Sequence, residues 1–539
     1  MKSVPSSNPQ PSIPPHRSIV DRAIVTAQQM RHIEGRIFEG GMPIAALMEK
    51  VAGLITTRIV TLYPTSRVSR VGILVGPGHN GGDALVVARE LHLQGYRVSL
   101  YVPLTQLKEL TAAHAKYAGS LGIPVYNDIE PLKDCDLIVD GLFGFGMARS
   151  LSGSIAAAVE TLNQWQKPTV SIDLPSGLHT DTGEVLGTAI RATQTLCLGL
   201  WKRAFFQDCA LEFCGEASLI DFGIPEGDIE AILSQSAPIQ RVTQEMALSV
   251  LPLARSPVTH KYKQGHLLLI CGSARYAGGA ILTGLGARAS GVGMLSMAVP
   301  QSLKPLLVSH LPEALIVGCR ETESGAIAEI PASLSDFDRF NAIACGPGLT
   351  LDALTVVESV LKANVPLILD ADGLNSLAKL GTQQKLSQRT SETILTPHAG
   401  EFGRLFPEID GDRIHAVREA AGQCGAIVLL KGARTAIAHP KGAVWLIPES
   451  TPALARGGSG DVLTGLMGGL VAQGGANPAI ASSAAWWHAR AGVLAARDRT
   501  VLGVDAFTLA QSLIPAIARE FRIQNSEFRV GSSELGVGS

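Results

Sequence analysis

The chain has 539 residues, of which 46% are hydrophobic and 17% are charged, so the composition is that of a globular protein and not of a disordered one. The formal net charge of −2 argues against a nucleic acid or an acidic lipid surface held by bulk charge. At roughly 150 residues per domain, this length predicts two to four domains.

The residues at the start of the chain and the longest apolar run give no sign of a targeting or membrane segment. The first eighteen residues are rich in proline and serine without an apolar signal core, which predicts a disordered tail over 1–18. Eight cysteines without a CxxC pair indicate reduced thiols and a cytoplasmic protein. The uncharged run from Val462 to His488 contains many glycines, alanines and amides and is interrupted by Pro478, so it predicts two buried helices.

The first half opens with apolar residues at helical spacing over 19–59, which predicts one or two helices. The run VGILV, Val71–Val75, is typical of a buried parallel strand. It leads into the glycine loop GPGHNGGDA, Gly76–Ala84, and ALVVARELHLQG then predicts a helix that ends at Gly95. A strand, a glycine loop and a helix form an arrangement that cradles phosphate, although the spacing is not the dinucleotide GxGxxG.

Polar side chains follow three strands of this half. Asn80 and Asp83 lie in the glycine loop, where an amide oxygen and a carboxylate suit a hard cation or a sugar hydroxyl, although Asp83 is equally suited to cap the helix. DLIVD ends in Asp140, and PTVSIDLPSGL ends in Asp173 and Ser176. Since ligands of an open parallel sheet bind beyond the carboxyl ends of the strands, we expect these residues to converge on one site.

The motifs GPGHNGGDALVVAR, DGLFGFG and IDLPSG, in this order, resemble the N-terminal domain of the NAD(P)H-hydrate repair proteins, the NAD(P)HX epimerase. The resemblance covers about 19–225 and implies a Rossmann-like α/β fold with a parallel-rich sheet. It implies an isomerase that interconverts the (R) and (S) epimers of NADHX and NADPHX. It also implies a potassium ion near the hydrated nicotinamide, with Asn80, Asp140 and Ser176 as its ligands.

The same resemblance assigns the substrate contacts of this domain. They are expected at His79, Asn80, Gly81, Gly82, Asp83, Gly144, Phe145, Gly146, Met147, Ala148, Arg149, Ser150 and Asp173. Asp173 is predicted to be the catalytic acid/base at the carbon that is epimerised. The chain departs from the family at His79, where Asn is usual, and at Ala84, where Gly is usual.

The second half repeats the pattern of buried strands that end in polar residues beside glycine or proline. FGIP and the polar segment after it predict a linker over 226–241. Strands are predicted at GHLLLICGS, NAIACGPGL, VPLILDADGLN, TILTPHAGE and AIVLLKGARTAIAH, and ARYAGGAILTGLGARASGVG predicts a helix of small residues that packs closely. This half is therefore also an α/β domain with ligand groups at its strand ends.

The stretch ARGGSGDVLTGLMGGL, Ala455–Leu470, predicts a glycine turn that leads into a helix. The N–H groups of such a turn and the helix dipole hold an anion, most often phosphate. Asp461 beside them is placed to accept or give a proton. Close packing of a glycine-rich loop against a neighbour is the simpler alternative.

Three further polar positions of this half allow two interpretations each. Lys431–Thr435 is either an ordinary edge segment or a KGxxT contact to the phosphate and ribose of a nucleotide. His398 either stabilises a turn or belongs to the site. Glu401 either belongs to the site or caps the next helix.

The set GSARYAGGA, CGPGL, DADGLN, TPHAGE, KGART and GGSGDVLTG resembles the C-terminal domain of the same repair proteins over about 242–521. The resemblance implies a ribokinase-like, ADP-dependent NAD(P)HX dehydratase, a lyase that restores NAD(P)H from the (S) epimer and converts ADP to AMP and phosphate. It places Gly279, Gly348, His398 and Asp461 at the hydrate. It places the adenine nucleotide at Lys431, Gly432, Ala433, Arg434, Thr435 and Gly460. The family often has Ala at Gly279 and Asn-Pro-Gly at Thr451–Ala453.

The dehydration chemistry fits these residues. Phosphorylation of the C6 hydroxyl makes phosphate the leaving group, and the ring nitrogen expels it to restore NAD(P)H. Asp461 is predicted to be the base for the hydroxyl, and the N–H groups of 457–460 are predicted to form the anion hole. Magnesium is expected to accompany ADP by bridging its phosphates.

Two rival functions use the same residues. A ribokinase-type kinase of a small molecule would share Asp461 and the anion hole but would release a stable phosphorylated product. Alternatively, the first half is a binding module without catalysis, which the presence of Asn80, Asp83, Asp140 and Asp173 argues against.

The predicted organisation is a tail over 1–18, an epimerase domain over 19–225, a linker over 226–241, a dehydratase domain over 242–521 and a tail over 522–539. The expected partners are the small molecules NADHX, NADPHX and ADP, with no nucleic acid and no membrane. The protein is expected to be a cytoplasmic homo-oligomer.

Overall fold

The computed structural model describes residues 18–533, and the chain divides into two compact units, Met1–Gln235 and Ser236–Ser539. Residues 1–17 of the predicted tail lie outside the described residues, and Ser18 begins the first helix. The boundary between the units falls inside the predicted linker 226–241. That segment is largely ordered, with a helix at Glu226–Leu233 in the first unit and a strand at Ile239–Arg241 in the second.

The first unit is built on a seven-stranded sheet in which all neighbours run parallel. Its strands and those of a small parallel pair are β1 (Ile24–Val25), β2 (Arg70–Val75), β3 (Arg97–Tyr101), β4 (Val125–Tyr126), β5 (Leu137–Gly141), β6 (Thr169–Ile172), β7 (Gln194–Leu198), β8 (Trp201–Lys202) and β9 (Glu216–Ile220). The order in the sheet is β4-β3-β2-β5-β6-β7-β9, and β1 pairs with β8. The central strands β5 and β6 are buried on both faces, as all-parallel sheets are, which confirms the strands predicted from their apolar runs.

The helices of the first unit are α1 (Ser18–Arg22), α2 (Ala27–Glu39), α3 (Ile44–Leu62), α4 (His79–Leu93), α5 (Glu109–Ser120), α6 (Gly153–Trp165), α7 (Leu211–Cys214) and α8 (Glu226–Leu233). Helix α4 begins at His79, so the segment HNGGD is its first turn and not a loop. Its N-cap is Gly78, which places Asp83 inside the helix. The interpretation of Asp83 as a helix cap is therefore wrong.

The second unit contains a ten-stranded sheet. Its strands are β10 (Ile239–Arg241), β11 (His266–Ile270), β12 (Met294–Pro300), β13 (Leu315–Cys319), β14 (Ala342–Cys345), β15 (Leu367–Leu369), β16 (Thr393–Leu395), β17 (Ile427–Leu430), β18 (Ala436–Ala438) and β19 (Val444–Leu446). The order is β10-β19-β18-β17-β16-β15-β14-β11-β12-β13. Neighbours run parallel except at β18, which is antiparallel to both β17 and β19. The run AIVLLKGARTAIAH, predicted as one strand, is thus two antiparallel strands joined by KGART.

The helices of the second unit are α9 (Gln244–Ser249), α10 (Ala277–Ala289), α11 (Lys304–His310), α12 (Leu354–Val360), α13 (Asp372–Leu380), α14 (Thr382–Leu386), α15 (Ala399–Leu405), α16 (Arg413–Cys424), α17 (Ser459–Gly474), α18 (Pro478–Arg499) and α19 (Ala506–Ser533). The two buried helices predicted across Val462–His488 are α17 and α18, and Pro478 opens the second. Helix α19 continues to Ser533, so the tail predicted from 522 is helical up to that residue. Residues 534–539 lie outside the described part.

Helices α10 and α17 pack closely because both carry glycine at the contact. A Cβ at Gly286 would lie 2.1 Å from the carbonyl oxygen of Val462, and a Cβ at Gly465 would lie 1.8 Å from that of Thr283. The helix of small residues predicted for this segment is therefore confirmed, and the close approach brings the start of α10 to the start of α17. In the described part of the chain, no helix is long and apolar enough to cross a membrane.

Candidate active sites

The carboxyl end of the first sheet borders a cavity of about 480 Å³. Most of the substrate contacts predicted for this unit lie on its wall, namely His79, Asn80, Asp83, Gly144, Phe145, Gly146, Met147 and Asp173. Ala148, Arg149 and Ser150 line a neighbouring pocket of about 420 Å³ that shares Gly146 and Met147 with the first. The convergence of strand ends expected from the sequence is thus present for these residues.

Gly81 and Gly82 are not on the cavity wall. A side chain at Gly81 would collide with the backbone of Gly76, and one at Gly82 would meet the side chain of Met48. These two glycines let α4 pack against its neighbours. They do not line the cavity at which substrate contacts were predicted.

Asp173 follows β6 in the left-handed region, with φ of +68°, a backbone strain that a non-glycine residue rarely sustains. Its carboxylate accepts hydrogen bonds from Lys202 Nζ at 2.5 Å and from the backbone N–H of Phe145 at 2.8 Å. Lys202 is fully buried, and it also donates to the carbonyl of Leu198. Burial by itself would lower the pKa of Lys202, but the facing Asp173 raises it above the ordinary value. Lys202 therefore stays charged and holds Asp173 in place.

Two further carboxyl groups share this cavity. Glu34, on α2, is half-buried, and burial raises its pKa to about 7, with Lys202 opposing and Asp173 adding to the shift. Asp83 is buried, and burial together with Asp173 and Glu34 raises its pKa well above the usual range. Both groups therefore hold protons more readily than ordinary carboxylates do.

His79, where the family usually has Asn, lies on the same wall. Burial and the nearby Lys108 lower the pKa of the imidazole. The ring is therefore neutral at physiological pH and is able to donate or accept a hydrogen bond.

The predicted potassium ligands lie around the end of β5. Asp140 is fully buried and accepts hydrogen bonds from the hydroxyl groups of Ser171 and Ser176 and from the N–H groups of Leu142 and Ser176. Burial raises the pKa of Asp140, with these hydrogen bonds opposing. Among the described residues no lysine or arginine forms an ion pair with this carboxylate.

Asn80 lies beside the same strand end. Its backbone oxygen is near Gly141, and its side-chain oxygen is near Gly144. The side-chain amide nitrogen is buried without a partner in the described part of the chain. A buried carboxylate without a cationic neighbour, beside the side-chain oxygen of Asn80, fits a monovalent cation held by oxygen atoms.

In the second unit, Asp461 lies in the first turn of α17. Gly458 is the N-cap, with φ of +89°, and the cap makes no side-chain hydrogen bond among the described residues. The N–H of Ser459 donates to the carbonyl of Arg456 at 3.3 Å, whereas the N–H groups of Gly460 and Asp461 make no hydrogen bond in the described part of the chain and are available to an anion. The turn is fixed from behind by His488, whose Nε2 lies 2.9 Å from the carbonyl oxygen of Ser459. Burial lowers the pKa of His488 to about 4, so the ring is neutral and donates this hydrogen bond.

The carboxylate of Asp461 faces the two glycines assigned to the hydrate. A Cβ at Gly279 would lie 3.2 Å from Asp461 Oδ2 and 3.7 Å from the N–H nitrogen of Gly348. Gly348 itself has φ of +68°, and a side chain there would collide with the backbone of Tyr276. Gly279, Gly348 and Asp461 thus come together in the structure as expected.

An ion pair between the partly buried Lys431 and the buried Asp370 lies beside the glycine turn. Lys431 Nζ is 2.7 Å from Asp370 Oδ1, and the hydroxyl of Thr464, on α17, donates to Asp370 Oδ2. A Cβ at Gly460 would lie 3.3 Å from Lys431 Nζ, so the ammonium group is beside the turn. Burial opposes the charge of Lys431, but Asp370 and then Glu401 raise its pKa.

Burial raises the pKa of Asp461 to about 7, and Asp370 adds to the shift while Lys431 opposes it. A carboxyl group that titrates near neutral pH suits a general base. Asp370 therefore tunes Asp461 as well as holding Lys431.

His398 and Glu401 form a reciprocal cap at the start of α15. His398 Nδ1 accepts from the N–H groups of Gly400 and Glu401, and the Glu401 carboxylate accepts from the N–H of His398. Both capping interpretations are therefore confirmed, while the contact of His398 with the hydrate stays a prediction. More than half of the His398 side chain is exposed, and its Nε2 lies 3.4 Å from Glu401 Oε1.

The segment predicted to hold the nucleotide connects β17 to β18. A Cβ at Gly432 would collide with the guanidinium of Arg413, which donates to the carbonyl groups of Leu430 and Lys431. The hydroxyl of Thr435 donates to the carbonyl of Gly432. Ala433 and Arg434 complete this tight connection, and the predicted nucleotide contact Gly460 lies across from it, beside Lys431.

The sequence did not predict a functional role for Glu34, Lys202 or His488. It also did not predict that Asp370 forms an ion pair with Lys431. Glu34 follows the buried Ile33 on α2, and a charged residue next to a buried one is a weak signal. Lys202 belongs to a two-residue strand without any periodic pattern. Asp370 follows the predicted strand VPLIL, but its partner Lys431 follows a different strand, β17, and only the fold brings them together.

Comparison with known proteins covers both units. A family model described as NAD(P)H-hydrate dehydratase matches residues 267–515, and one described as YjeF-related protein N-terminus matches residues 44–204. The chain is 56% identical over 498 residues to a bifunctional NAD(P)H-hydrate repair enzyme of Synechocystis sp., which covers 92% of this chain and 95% of the relative. A protein of the same name from Thermosynechococcus vestitus is 54% identical, with 92% and 98% covered.

Solved structures resemble the second unit. An ADP/ATP-dependent NAD(P)H-hydrate dehydratase from Bacillus subtilis, co-crystallised with ATP and Mg²⁺, is 32% identical, with 52% of this chain and 97% of that chain covered and a TM-score of 0.44. A putative kinase of the same organism is 31% identical, with 53% and 100% covered and a TM-score of 0.44.

Proposed function

The chain belongs to the bifunctional NAD(P)H-hydrate repair enzymes, and we propose how its two units carry out the two reactions. The enzyme is an isomerase that interconverts the epimers of NAD(P)HX and a lyase that dehydrates (S)-NAD(P)HX to NAD(P)H in a nucleotide-dependent reaction. The first unit is proposed to be the epimerase and the second the dehydratase. A cytoplasmic location and a homo-oligomeric state stay predictions.

In the dehydratase unit, Asp461 is the proposed general base for the C6 hydroxyl. The observation that carries this assignment is the position of its carboxylate, which faces Gly279 from the first turn of α17. A hydroxyl group held there loses its proton to Asp461 while the incoming phosphoryl group rests on the N–H groups of 457–460 other than that of Ser459, which donates to Arg456. Lys431, beside Gly460, adds positive charge at the same place. The phosphorylated hydrate then expels phosphate and becomes NAD(P)H.

We propose ADP as the phosphoryl donor, bound along 431–435 and at Gly460, with AMP and phosphate as products. Among the described residues no group of three or more His, Cys, Asp or Glu side chains is able to hold a metal ion. Magnesium is proposed to arrive with the nucleotide, because Mg²⁺ is usually held by substrate phosphates together with one or two carboxylates. Magnesium bound to the phosphates would neutralise their charge, while Lys431 and the turn orient the group that is transferred.

In the epimerase unit, Asp173 is the proposed acid/base at C6. Its Oδ1 accepts from Lys202, whereas Oδ2 accepts from the N–H of Phe145 and lies near Gly144 on the cavity wall. We also propose potassium at Asn80, Asp140 and Ser176, since these residues supply oxygen atoms around one buried carboxylate. The ion would fix the strand ends that carry the substrate loop of 143–150.

The decisive experiment separates repair from a kinase reaction. The full chain is incubated with (S)-NADHX and either ADP or ATP, and absorbance at 340 nm and free phosphate are followed together. We expect both to rise in equal amounts, and Asp461→Asn should slow both by about 10²–10⁴-fold. A stable phosphorylated product without recovery of NADH would refute the dehydratase assignment.

The epimerase assignment is tested on the same chain without nucleotide. Starting from pure (R)-NADHX, we expect potassium-dependent formation of the (S) epimer and a large loss of rate in Asp173→Asn. An Asp173→Asn chain that equilibrates the epimers at the wild-type rate would instead support the binding-module alternative.

A further inference from the structure

We propose that Glu34 is a second catalytic residue of the epimerase unit and works with Asp173 to open and close the ring of the hydrate. Glu34 gives a proton to the ring nitrogen while Asp173 takes the proton of the C6 hydroxyl. This inference rests on the epimerase function proposed above and assigns its second proton-transfer group.

The two carboxyl groups reach one cavity from different layers of the unit. Glu34 projects from α2, whereas Asp173 follows the central strand β6, and both line the cavity of about 480 Å³. A substrate ring in this cavity is therefore accessible to two carboxyl groups at once. This arrangement allows one group to act at the hydroxyl and the other at the nitrogen.

Helix α2 is held firmly at this position. Its N-terminus is closed by a capping box of Thr26 and Gln29, and the N–H of Ala27 donates to Asp181 Oδ1 at 2.8 Å. Further along the helix, Arg31 donates to the carbonyl of Gly146, which belongs to the substrate loop. Glu34 is thus fixed relative to the loop and to the segment that follows Asp173.

The surroundings give the two carboxyl groups opposite roles. Asp173 forms a buried ion pair with Lys202, and a carboxylate held in this way suits a base. The Glu34 carboxyl makes no hydrogen bond and no ion pair among the described residues. Its charged neighbours in the cavity are Lys202, Asp173, Arg31 and Asp83, and burial raises its pKa to about 7. A protonated Glu34 beside an ionised Asp173 is the arrangement that paired acid and base catalysis requires.

The reaction is balanced with these two groups alone. Asp173 removes the proton of the C6 hydroxyl, the C6–N1 bond breaks, and its electron pair goes to N1, which takes the proton of Glu34. The product is an open aldehyde. Rotation about the C5–C6 bond exposes the other face of the aldehyde, and N1 then attacks it. Glu34 recovers its proton from N1, and the oxygen recovers its proton from Asp173, which gives the other epimer.

The test compares Glu34→Gln with wild type in the full chain, with (R)-NADHX, potassium and no nucleotide. We expect kcat for epimerisation to fall by about 10²-fold or more while KM changes little. Wild-type kcat should decline as the pH rises above about 7, because Glu34 loses its proton there. This decline should be absent from Glu34→Gln, and Glu34→Asp should recover part of the rate.

Glu39→Gln is the matched control, because Glu39 is exposed at the end of the same helix. It should retain the wild-type rate, and Glu34→Gln should retain full dehydratase activity on (S)-NADHX. Wild-type kcat and an unchanged pH profile in Glu34→Gln would overturn the role of Glu34. If the wild-type chain does not interconvert the epimers at all, the proposed function itself fails.

Isotope labelling tests the bond that breaks. Substrate with ¹⁸O in the C6 hydroxyl should keep its label through epimerisation, because ring opening leaves the C6–O bond intact. Loss of one label per turnover, above the rate without enzyme, would show cleavage of the C6–O bond and would overturn the ring-opening step.

Discussion

Lys202 Nζ and Asp173 Oδ1 lie 2.5 Å apart, and both side chains are almost completely removed from solvent. Such a pair serves catalysis because it fixes the orientation of a carboxylate inside a cavity. It also makes each partner costly to remove alone, since a buried charge without its partner is poorly solvated.

Lys202→Met should therefore lower the free energy of unfolding of the first unit by about 3–5 kcal/mol and abolish epimerisation. The double variant Asp173→Asn/Lys202→Met should recover much of the lost stability but none of the activity. Denaturant unfolding measures the first effect. Lys116→Met, which removes an exposed lysine, should change neither quantity, and a stable Lys202→Met would argue against a buried ionised pair.

The pH profile of kcat for the dehydratase should have an acid limb that is set by the protonation of Asp461. Burial, with Asp370 adding, raises the pKa of Asp461 to about 7, and a base must be ionised to act, so kcat should rise with pH and level off above that value. Asp370→Asn removes a negative neighbour and should move the limb towards acid by about 1 pH unit. Lys431→Met removes a positive neighbour and should move it towards alkali.

The pH profiles of kcat at saturating nucleotide distinguish these shifts from weaker binding. Glu419→Gln, at an exposed position of α16, serves as the control and should leave the limb in place. Identical limbs in all four proteins would mean that another group sets the pH dependence.

Gly279 should limit the space beside Asp461. A Cβ there would lie 3.2 Å from Asp461 Oδ2, so Gly279→Ala should require a shift of a few tenths of an ångström and reduce kcat/KM less than tenfold, about 1 kcal/mol or less. Gly279→Val should reduce it much further. The neighbouring Gly278→Ala is the control, because a Cβ at Gly278 meets no atom within 4 Å. Equal losses in Gly278→Ala and Gly279→Ala would contradict the placement of the hydrate against Gly279.

The proposed potassium site is testable with two serines that bond the same carboxylate. Ser176→Ala and Ser171→Ala each remove one hydroxyl that donates to Asp140, but only Ser176 is a proposed ligand. A potassium titration of the epimerase rate should show a half-saturating concentration raised about tenfold or more in Ser176→Ala, equivalent to a loss of about 1.4 kcal/mol. Ser171→Ala should stay near wild type. The same shift in both would assign the effect to the carboxylate network and not to an ion.

Strands and helices could be predicted from the sequence where local patterns of apolar residues define them. Site residues could be predicted where a polar residue follows a strand. Asp140, Asp173 and Asp461 were predictable because each lies at a strand end or helix start, beside glycine for Asp140 and Asp461 and before Pro-Ser-Gly for Asp173. Lys202 and Glu34 were not, because their roles depend on packing between elements that are distant in the chain. The start of α4 was missed since glycines disfavour helices, and only the close packing at Gly81 and Gly82 shows why they are there.

Strand β10 has a consequence for any attempt to divide this protein. It pairs with β19 over Ile239–Arg241 and is the edge strand of the second sheet, although it precedes the predicted start of that domain at 242. A polypeptide beginning at 242 would leave the backbone groups of β19 unpaired and open to intermolecular pairing, and we expect it to aggregate. A cut after Gln235 keeps both sheets complete, so the separated halves are best obtained there.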